Sequence, residues 1–237
     1  MQMQRLFTIK KTQLQMVVDR GYVIPSSEAR ILTMSFEEFQ IYFTQEANRI
    51  SKSPRTVLSK DYRSLLLPKA DANGNNYRAI KVFFAGKDDV GNSTISINVV
   101  KSFENELATG KFNDEPAPVQ FTEAIMINDS GLSPQARTHF EMIKDVSCQA
   151  FLDSDLMYNP TRHVDTPRHE ILSKEETTEL LRNLKVTPNQ LLLIKENDAV
   201  VRYYGWKAGG VVRVHRYDQA LSVLTQRSIN YRYIVKM

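Results

Sequence analysis

Cysteine is almost absent from this 237-residue sequence, and it has no long apolar runs and no glycine-rich loops. The single cysteine, Cys148, excludes an intramolecular disulfide, which favours a reducing intracellular compartment. No apolar run approaches the ~18 residues that a membrane-spanning helix needs, and the N-terminal segment lacks the charge order of a signal peptide. We therefore expect a soluble protein without a membrane partner. Its 42% hydrophobic residues suffice for one large domain or two small ones.

The usual signatures of catalysis and cofactor binding are also missing. Residues 85–88 lack the glycine spacing of a phosphate-binding loop. His163, Asp165 and His169 occur in a proline-bearing segment without the fixed spacing of metal ligands. Lys81, in a predicted strand, lacks the acid-x-lysine pairing of a metal-dependent nuclease. The sequence therefore predicts no catalytic residue, no metal and no cofactor.

Charge is distributed unevenly along the chain. The formal net charge is +4, but residues 112–164 carry 3 basic and 8 acidic side chains, and both flanking regions are net basic. The lysines and arginines between residues 49 and 63 are more scattered than the basic stripe of a dedicated nucleic-acid-binding protein. The charge pattern thus permits contact with DNA or RNA without requiring it.

The first two thirds of the chain alternate helical and strand patterns. Apolar spacing predicts a helix over residues 4–20 that ends at Gly21, and Ser35 with Glu38 forms the capping box of a second helix. Further strands are predicted at 78–84, 94–100, 119–127 and 147–152, with helices at 103–109 and after Ser133-Pro134. This alternation predicts an α/β domain.

The last third has the patterns of a small α+β unit. Ser173 with Glu176 predicts a helix, and Pro188 predicts a short helical turn that includes Leu192 and Ile194. Asp198 is expected to cap a helix that ends at Gly205, and strands are expected after Gly209-Gly210 and over residues 230–236. Asn159-Pro160 and Thr166-Pro167 bracket a polar segment that is typical of a linker.

Several segments, taken together and in order, resemble one family. It is the fifth-largest subunit shared by the eukaryotic nuclear RNA polymerases I, II and III, whose C-terminal part is similar to the H-type subunit of archaeal RNA polymerase. The segments that carry the resemblance are QMVVDRGYVI at 15–24, LSPQA at 132–136, PRH at 167–169, RYYG at 202–205, GGVVRV at 209–214 and YR at 231–232. They are spread over essentially the whole chain.

The resemblance implies two modules. The first is an N-terminal jaw domain over residues 1–150, a mixed sheet with flanking helices on a nuclease-like scaffold without an active site. A linker over 151–168 would join it to an α+β assembly domain over 169–237. The jaw would lie near downstream duplex DNA and contact it weakly, and the assembly domain would dock on the largest subunit of the polymerase, in contact with other subunits.

The resemblance also implies two sets of site residues. The set near downstream DNA is Ser133, Pro134, Gln135, Ala136 and Arg137. The set that docks on the largest subunit is His169, Asp198, Arg202, Tyr203, Gly205, Gly209, Val211, Tyr231 and Arg232. The chain would act as a non-catalytic component, in the nucleoplasm or nucleolus, or in a cytoplasmic factory if the polymerase is viral.

The sequence departs from the family pattern at four places. Leu192 and Ala199 stand where prolines are usual, Gly210-Val211 lacks a common acidic residue, and the segment Tyr217–Asn230 is longer than usual. These departures suit a divergent member. Two other classes stay open: a free-standing DNA-binding or nuclease-like protein, and an adaptor that carries a C-terminal domain of the archaeal H type. Salt-dependent DNA binding would favour the first, and the second needs a long heptad region, which the sequence lacks.

Overall fold

A computed structural model describes residues 2–50, 58–64, 78–86, 94–110, 119–217 and 227–236. The chain divides into two compact units, Met1–Tyr158 and Asn159–Met237. The division falls inside the linker predicted at 151–168, which holds the 3-10 turns Asp153–Leu156 and Pro160–Arg162. Among the described residues no helix combines the length and the apolar character that crossing a membrane requires.

The first unit is an α/β layer structure around a mixed sheet. Its elements are α1 (Gln2–Asp19), β1 (Tyr22–Val23), α2 (Ser26–Ala29), α3 (Phe36–Ile50), β2 (Lys60–Ser64), β3 (Ala79–Phe84), α4 (Ile97–Ala108), β4 (Glu123–Asn128), α5 (Pro134–Met142) and β5 (Ser147–Leu152). The strand order β1-β2-β3-β4-β5 follows the chain. The pairs β1–β2 and β2–β3 are antiparallel, and β3–β4 and β4–β5 are parallel.

Helices pack on both faces of this sheet. On one side Phe103 of α4 and Phe140 of α5 stack in the core that also contains Met126 of β4. On the other side the Lys10 ammonium of α1 lies over the Phe84 ring of β3. Burial on both faces explains why β3 and β4 have near-continuous apolar sequences rather than alternating ones.

The second unit is α+β. Its elements are β6 (Arg168–Ile171), α6 (Lys174–Leu184), β7 (Leu192–Lys195), α7 (Ala199–Tyr204), β8 (Val211–Tyr217) and β9 (Arg227–Val235). The sheet order is β6-β8-β9-β7, with β9 antiparallel to β8 and parallel to β7. Its core consists of Ile194, Val201, Val212, Val214 and Ile234, with Trp206 packed against it.

Most predicted elements are confirmed where a local cap defines them. Gly21 ends α1 with a φ of 86°, and the Ser35–Glu38 capping box precedes α3 with both of its hydrogen bonds formed. The Ser173–Glu176 box precedes α6 in the same way. The strand predicted over 119–127 begins only at Glu123.

Two predicted elements are wrong. Residues 97–100, expected in a strand, open α4, because Ile97, Val100, Phe103 and Leu107 also form a helical stripe that packs into the core. Leu192, expected with Ile194 in a helical turn, begins β7, and the turn after Pro188 ends at Gln190. In both places a tertiary neighbour decides between two local patterns.

Candidate functional site

The N-terminus of α5 is built as the sequence predicts. Ser133 is the N-cap, and its Oγ accepts a hydrogen bond of 3.3 Å from the Ala136 N–H. Pro134 occupies the first helical position, where its lack of an N–H costs nothing. Ala136 is buried against the core, whereas Pro134, Gln135 and Arg137 are exposed. The exposed residues of this turn are therefore the part that could meet a ligand.

Few amides of this turn are available to an anion. The Ala136 N–H is used by the cap, and the Arg137 N–H donates to the Ser133 carbonyl at 2.8 Å. Because Pro134 has no N–H, Gln135 supplies the one first-turn amide without such a bond in the described part of the helix. Any anion here would be held by the Gln135 N–H and the Arg137 guanidinium. It would not be held by several free backbone N–H groups, as at an uncapped helix start.

The turn before α5 is held firmly. The Asn128 side chain accepts from the Gly131 N–H at 2.7 Å and donates to the Phe151 carbonyl at 3.2 Å. Gly131 has a φ of 77°, a backbone conformation that favours glycine. Ile95 forms an isolated bridge with Leu132 next to this turn. The helix start is thus fixed in direction by hydrogen bonds to neighbouring segments.

Of the predicted docking residues in the second unit, two are buried within the unit itself. Tyr203 and Val211 are each 1% exposed, and the Tyr203 hydroxyl accepts a hydrogen bond of 2.9 Å from the Asn159 amide. Residues so thoroughly covered cannot form the contact surface. The structure therefore places Tyr203 and Val211 in the interior of the second unit, and a direct contact of their side chains with another protein is not expected.

Two predicted docking glycines have a conformational reason of their own. Gly205 ends α7 with a φ of 72°, and Gly209 has a φ of 94° in the turn before β8. The Gly209 N–H also donates to the Ile234 carbonyl at 2.9 Å. Positive φ values of this kind explain glycine at both positions without a partner.

The structure brings His169, Asp198 and Arg232 together. His169 and Arg232 lie on the inner face of the second sheet, the face that carries Val212, Val214 and Ile234, because opposite residues of the register share a face. The Asp198 carboxylate accepts from the Val200 N–H at 3.0 Å, capping α7, and interacts electrostatically with His169. Arg202 lies one turn later and is half-buried.

His169 is held as a neutral acceptor. Its Nδ1–H donates to the Pro167 carbonyl at 2.6 Å, which leaves Nε2 as the atom with a lone pair. Burial lowers the pKa of His169 below its usual value, the Asp198 carboxylate opposes this shift, and Arg232 and Arg216 add to it. The inner-face cluster is therefore defined by His169, Asp198, Arg216 and Arg232.

A second polar cluster lies on the opposite face of the same sheet. Glu170 of β6 is 2.9 Å from His215 Nε2 and 3.6 Å from Arg213 Nη1, both on β8. The His215 hydrogen bond lowers the pKa of Glu170, and Arg168 and Arg213 act in the same direction. Tyr231, the remaining predicted docking residue, lies on this face under the Arg213 guanidinium. The predicted docking set is therefore split between two faces.

Sequence reasoning missed Arg216, Glu170 and Arg213. The alternation of apolar and charged residues in VVRVHRY could have shown that Arg213 and His215 share one face. Pairing them with Glu170 required the register of β6 on β8, which no local pattern supplies.

The positions that depart from the family pattern have ordinary local roles. Leu192 begins β7, paired with Arg232 of β9, and Ala199 is the first residue of α7. The long segment Tyr217–Asn230 begins and ends in paired strand, with Tyr217 opposite Arg227, and residues 218–226 lie outside the described part. In the described ranges no three His, Cys, Asp or Glu side chains are grouped closely enough to hold a metal ion.

Comparison with known proteins gives one family for both units. The family model of the RNA polymerase Rpb5 N-terminal domain matches residues 1–101, and that of the RNA polymerase Rpb5 C-terminal domain matches residues 158–234. The C-terminal match thus begins one residue before the second unit of the structure.

Proteins that align with nearly the whole chain indicate the same family. The chain is 30% identical to the DNA-directed RNA polymerases I, II, and III subunit RPABC1 of Caenorhabditis elegans, over 98% of this chain and 96% of that protein. It is 30% identical to the corresponding subunit of Dictyostelium discoideum, over 98% of both chains. It is 24% identical to the DNA-directed RNA polymerase V subunit 5A of Arabidopsis thaliana, over 97% and 88%. With both domains matched in order and near-complete coverage, the chain belongs to the RNA polymerase Rpb5 family.

Proposed function

We propose that this chain is a non-catalytic structural subunit of a nuclear DNA-directed RNA polymerase. The observation that carries the proposal is the match of the two Rpb5 domain models, one to each unit of the structure. The relatives that span the chain are themselves named as polymerase subunits. Nuclear or nucleolar localisation follows from the same proposal.

In this proposal the second unit is the assembly domain that docks on the largest subunit. Support comes from polar and aromatic side chains that are only partly covered in the chain alone: His169, Arg202, Tyr231 and Arg232. Arginine and tyrosine are enriched among the residues that contribute most to protein interfaces.

The first unit would be the jaw, on a nuclease-like scaffold without an active site. The strand lysine Lys81 supports this interpretation, because its Nζ lies 3.4 Å from Asp61 and 3.3 Å from Glu106. Its charge is thus neutralised by the protein and is poorly suited to act on a phosphate. The exposed start of α5, at Gln135 and Arg137, would face downstream duplex DNA and contact it weakly.

Affinity purification from cells of the source organism tests the proposal. A tagged full-length chain should recover the two largest subunits of a nuclear polymerase in near-equal amounts, as identified by mass spectrometry. The chain purified without those subunits should neither synthesise nor hydrolyse nucleic acid. A chain that recovers no polymerase subunit, or that hydrolyses nucleic acid by itself, would refute the proposal.

DNA binding by the isolated chain separates this function from that of a free-standing DNA-binding protein. We expect duplex affinity weaker than micromolar at physiological salt, since α5 offers one amide and one arginine. A submicromolar dissociation constant with a steep salt dependence would favour the free-standing protein instead.

A further inference from the structure

Arg232 carries a buried hydrogen-bond donor that no described residue accepts. Its Nε atom is buried, and it has no hydrogen-bond partner within the described part of the chain. The side chain extends from the inner face of the sheet, opposite Val212 and beside the core that α7 covers. Leaving a donor of a charged group without an acceptor is costly, so each such group needs a physical explanation.

The surroundings of Arg232 are positively charged and not compensated. Arg216 and the neutral His169 belong to the same cluster, and Asp198 is the acidic member. The Asp198 carboxylate is already engaged with the amides at the start of α7. Neither Arg216 nor Arg232 forms an ion pair with any residue in the part of the chain that the structure describes. The cluster therefore holds two guanidinium groups without an ion-pair partner among the described residues, and the Oδ1 atom of its one carboxylate is used by the cap of α7.

We propose that Arg232 receives the carboxylate of an aspartate or glutamate from the polymerase subunit on which this unit docks. This inference rests on the proposed function and names the chemistry of the contact. A guanidinium matches a carboxylate in a planar, two-pronged geometry, and such pairs are strongest when they are partly withdrawn from water. The carboxylate would pair with the part of the guanidinium that remains exposed, and it would offset the charge of a group whose Nε is already withdrawn from water.

A nucleic-acid phosphate fits this cluster less well than a carboxylate. The Asp198 carboxylate lies close enough to influence His169 and would repel a phosphate backbone. The available donors converge around a single residue and do not form the track that a backbone needs. A single carboxylate on a folded partner is repelled less by Asp198 than a phosphate backbone, which carries one charge per nucleotide, and it needs only one guanidinium.

Arg232→Met provides a test with two readouts of opposite sign. In the free chain the substitution removes an unsatisfied buried donor, so the melting temperature should stay the same or rise. In the assembled polymerase it removes the partner of the incoming carboxylate, so affinity should fall about tenfold or more. The matched control is Arg182→Met on the exposed end of α6, which should change neither value by much.

Arg232→Lys identifies the partner directly. The lysine keeps the positive charge and adds an amine, which a carbodiimide joins to a carboxylate in contact with it. Treatment of the assembled polymerase should give a crosslink from position 232 to an aspartate or glutamate of the neighbouring subunit. Arg182→Lys, treated in parallel, should give no crosslink to that residue.

The outcomes separate the inference from the proposed function. If the wild-type chain recovers no polymerase, the proposed function and this inference fail together. If it does, but Arg232→Met assembles with unchanged affinity, or Arg232→Lys gives no carboxylate crosslink, the inference alone is overturned. Loss of the contact on nuclease digestion would assign the cluster to phosphate and would likewise overturn it.

Discussion

At the scale of single residues, Asp198 organises the start of α7. Its Oδ1 atom accepts from the Val200 and Val201 amides at 3.0 and 3.5 Å, so the amide of Ala199 is not used by the cap. Asp198 has φ −56° and ψ 142°, a conformation that a following proline permits. The alanine at position 199 is therefore not required by the local geometry.

We expect Ala199→Pro to raise the free energy of unfolding by roughly 0.4–1 kcal/mol, because proline restricts the unfolded chain and fits the first helical position. Asp198→Ala should lower it by about 1 kcal/mol through loss of the cap. Urea denaturation of the full-length chain measures both. A destabilising Ala199→Pro would show that the Ala199 amide has a partner after all.

His169 gives the second unit a pH-dependent stability. Burial lowers the pKa of His169, so the folded chain binds its proton less readily than the unfolded chain does. Stability is then fully present above the unfolded pKa of about 6.5 and is lost as the pH falls through that value towards the folded one. Because the side chain is only partly buried and keeps contact with water, the loss should stay below about 1 kcal/mol.

The measurement is thermal unfolding of the full-length chain at several pH values across this window. His169→Asn, which keeps a donor for the Pro167 carbonyl, should flatten the loss of stability. The exposed His163→Asn serves as the control and should leave the profile as it is. An unchanged profile in His169→Asn would contradict the assignment.

At the scale of elements, Gly210 sets how closely β6 and β9 pack beside the start of β8. A Cβ added there would lie 2.8 Å from Ile171 Cδ1 and 3.4 Å from Ile234 Cδ1. The neighbouring Gly209 has open space around a Cβ but a positive φ. Two adjacent glycines are therefore required for different reasons, one for close approach and one for backbone conformation.

We expect Gly210→Ala to destabilise the chain by about 1 kcal/mol, because the added Cβ makes the flexible end of Ile171 shift. Ile171→Val removes the crowded Cδ1 and should cost little alone, because Ile171 is 41% exposed. The double variant should recover at least half of the loss, measured as the coupling in a double-mutant cycle. Additive effects would locate the strain at another contact.

Elements marked by their own caps could be predicted from sequence, and those decided by partners could not. Ser35, Ser133 and Ser173 lie at helix starts because cap hydrogen bonds are formed within one turn. The alternation at 95–99 fits a strand equally well, and packing in the core with Phe140 selects the helix. For the site, Arg232 is predicted as a docking residue, but its buried Nε depends on the register of β8 and β9.

At the scale of the whole molecule, the second unit begins earlier than the predicted boundary at residue 169. Asn159 donates to the Tyr203 hydroxyl, and Pro160 is buried near α7. These contacts assign the turn Pro160–Arg162 to the second unit. The sequence of this segment is polar and rich in proline, which is typical of a linker. Only a few of its side chains make the contacts that join it to the second unit, so the composition does not reveal them.

A fragment of residues 159–237 should therefore unfold cooperatively, whereas one of residues 168–237 should be less stable by about 1–3 kcal/mol. Circular dichroism with urea on both fragments measures the difference. Equal stabilities would show that the turn contributes nothing and would favour a boundary nearer residue 169.

The position of β9 between β8 and β7 governs when each part of the chain can fold during synthesis. In the first unit each strand pairs with the one made just before it, so that sheet can grow as the polypeptide leaves the ribosome. In the second, β7 emerges early yet has no sheet partner until β9 follows it, because β9 alone pairs with β7 among the described strands. A translational pause before residue 235 would therefore leave the first unit complete while β7 still has an unpaired edge, so the second sheet closes only when the last strand is made.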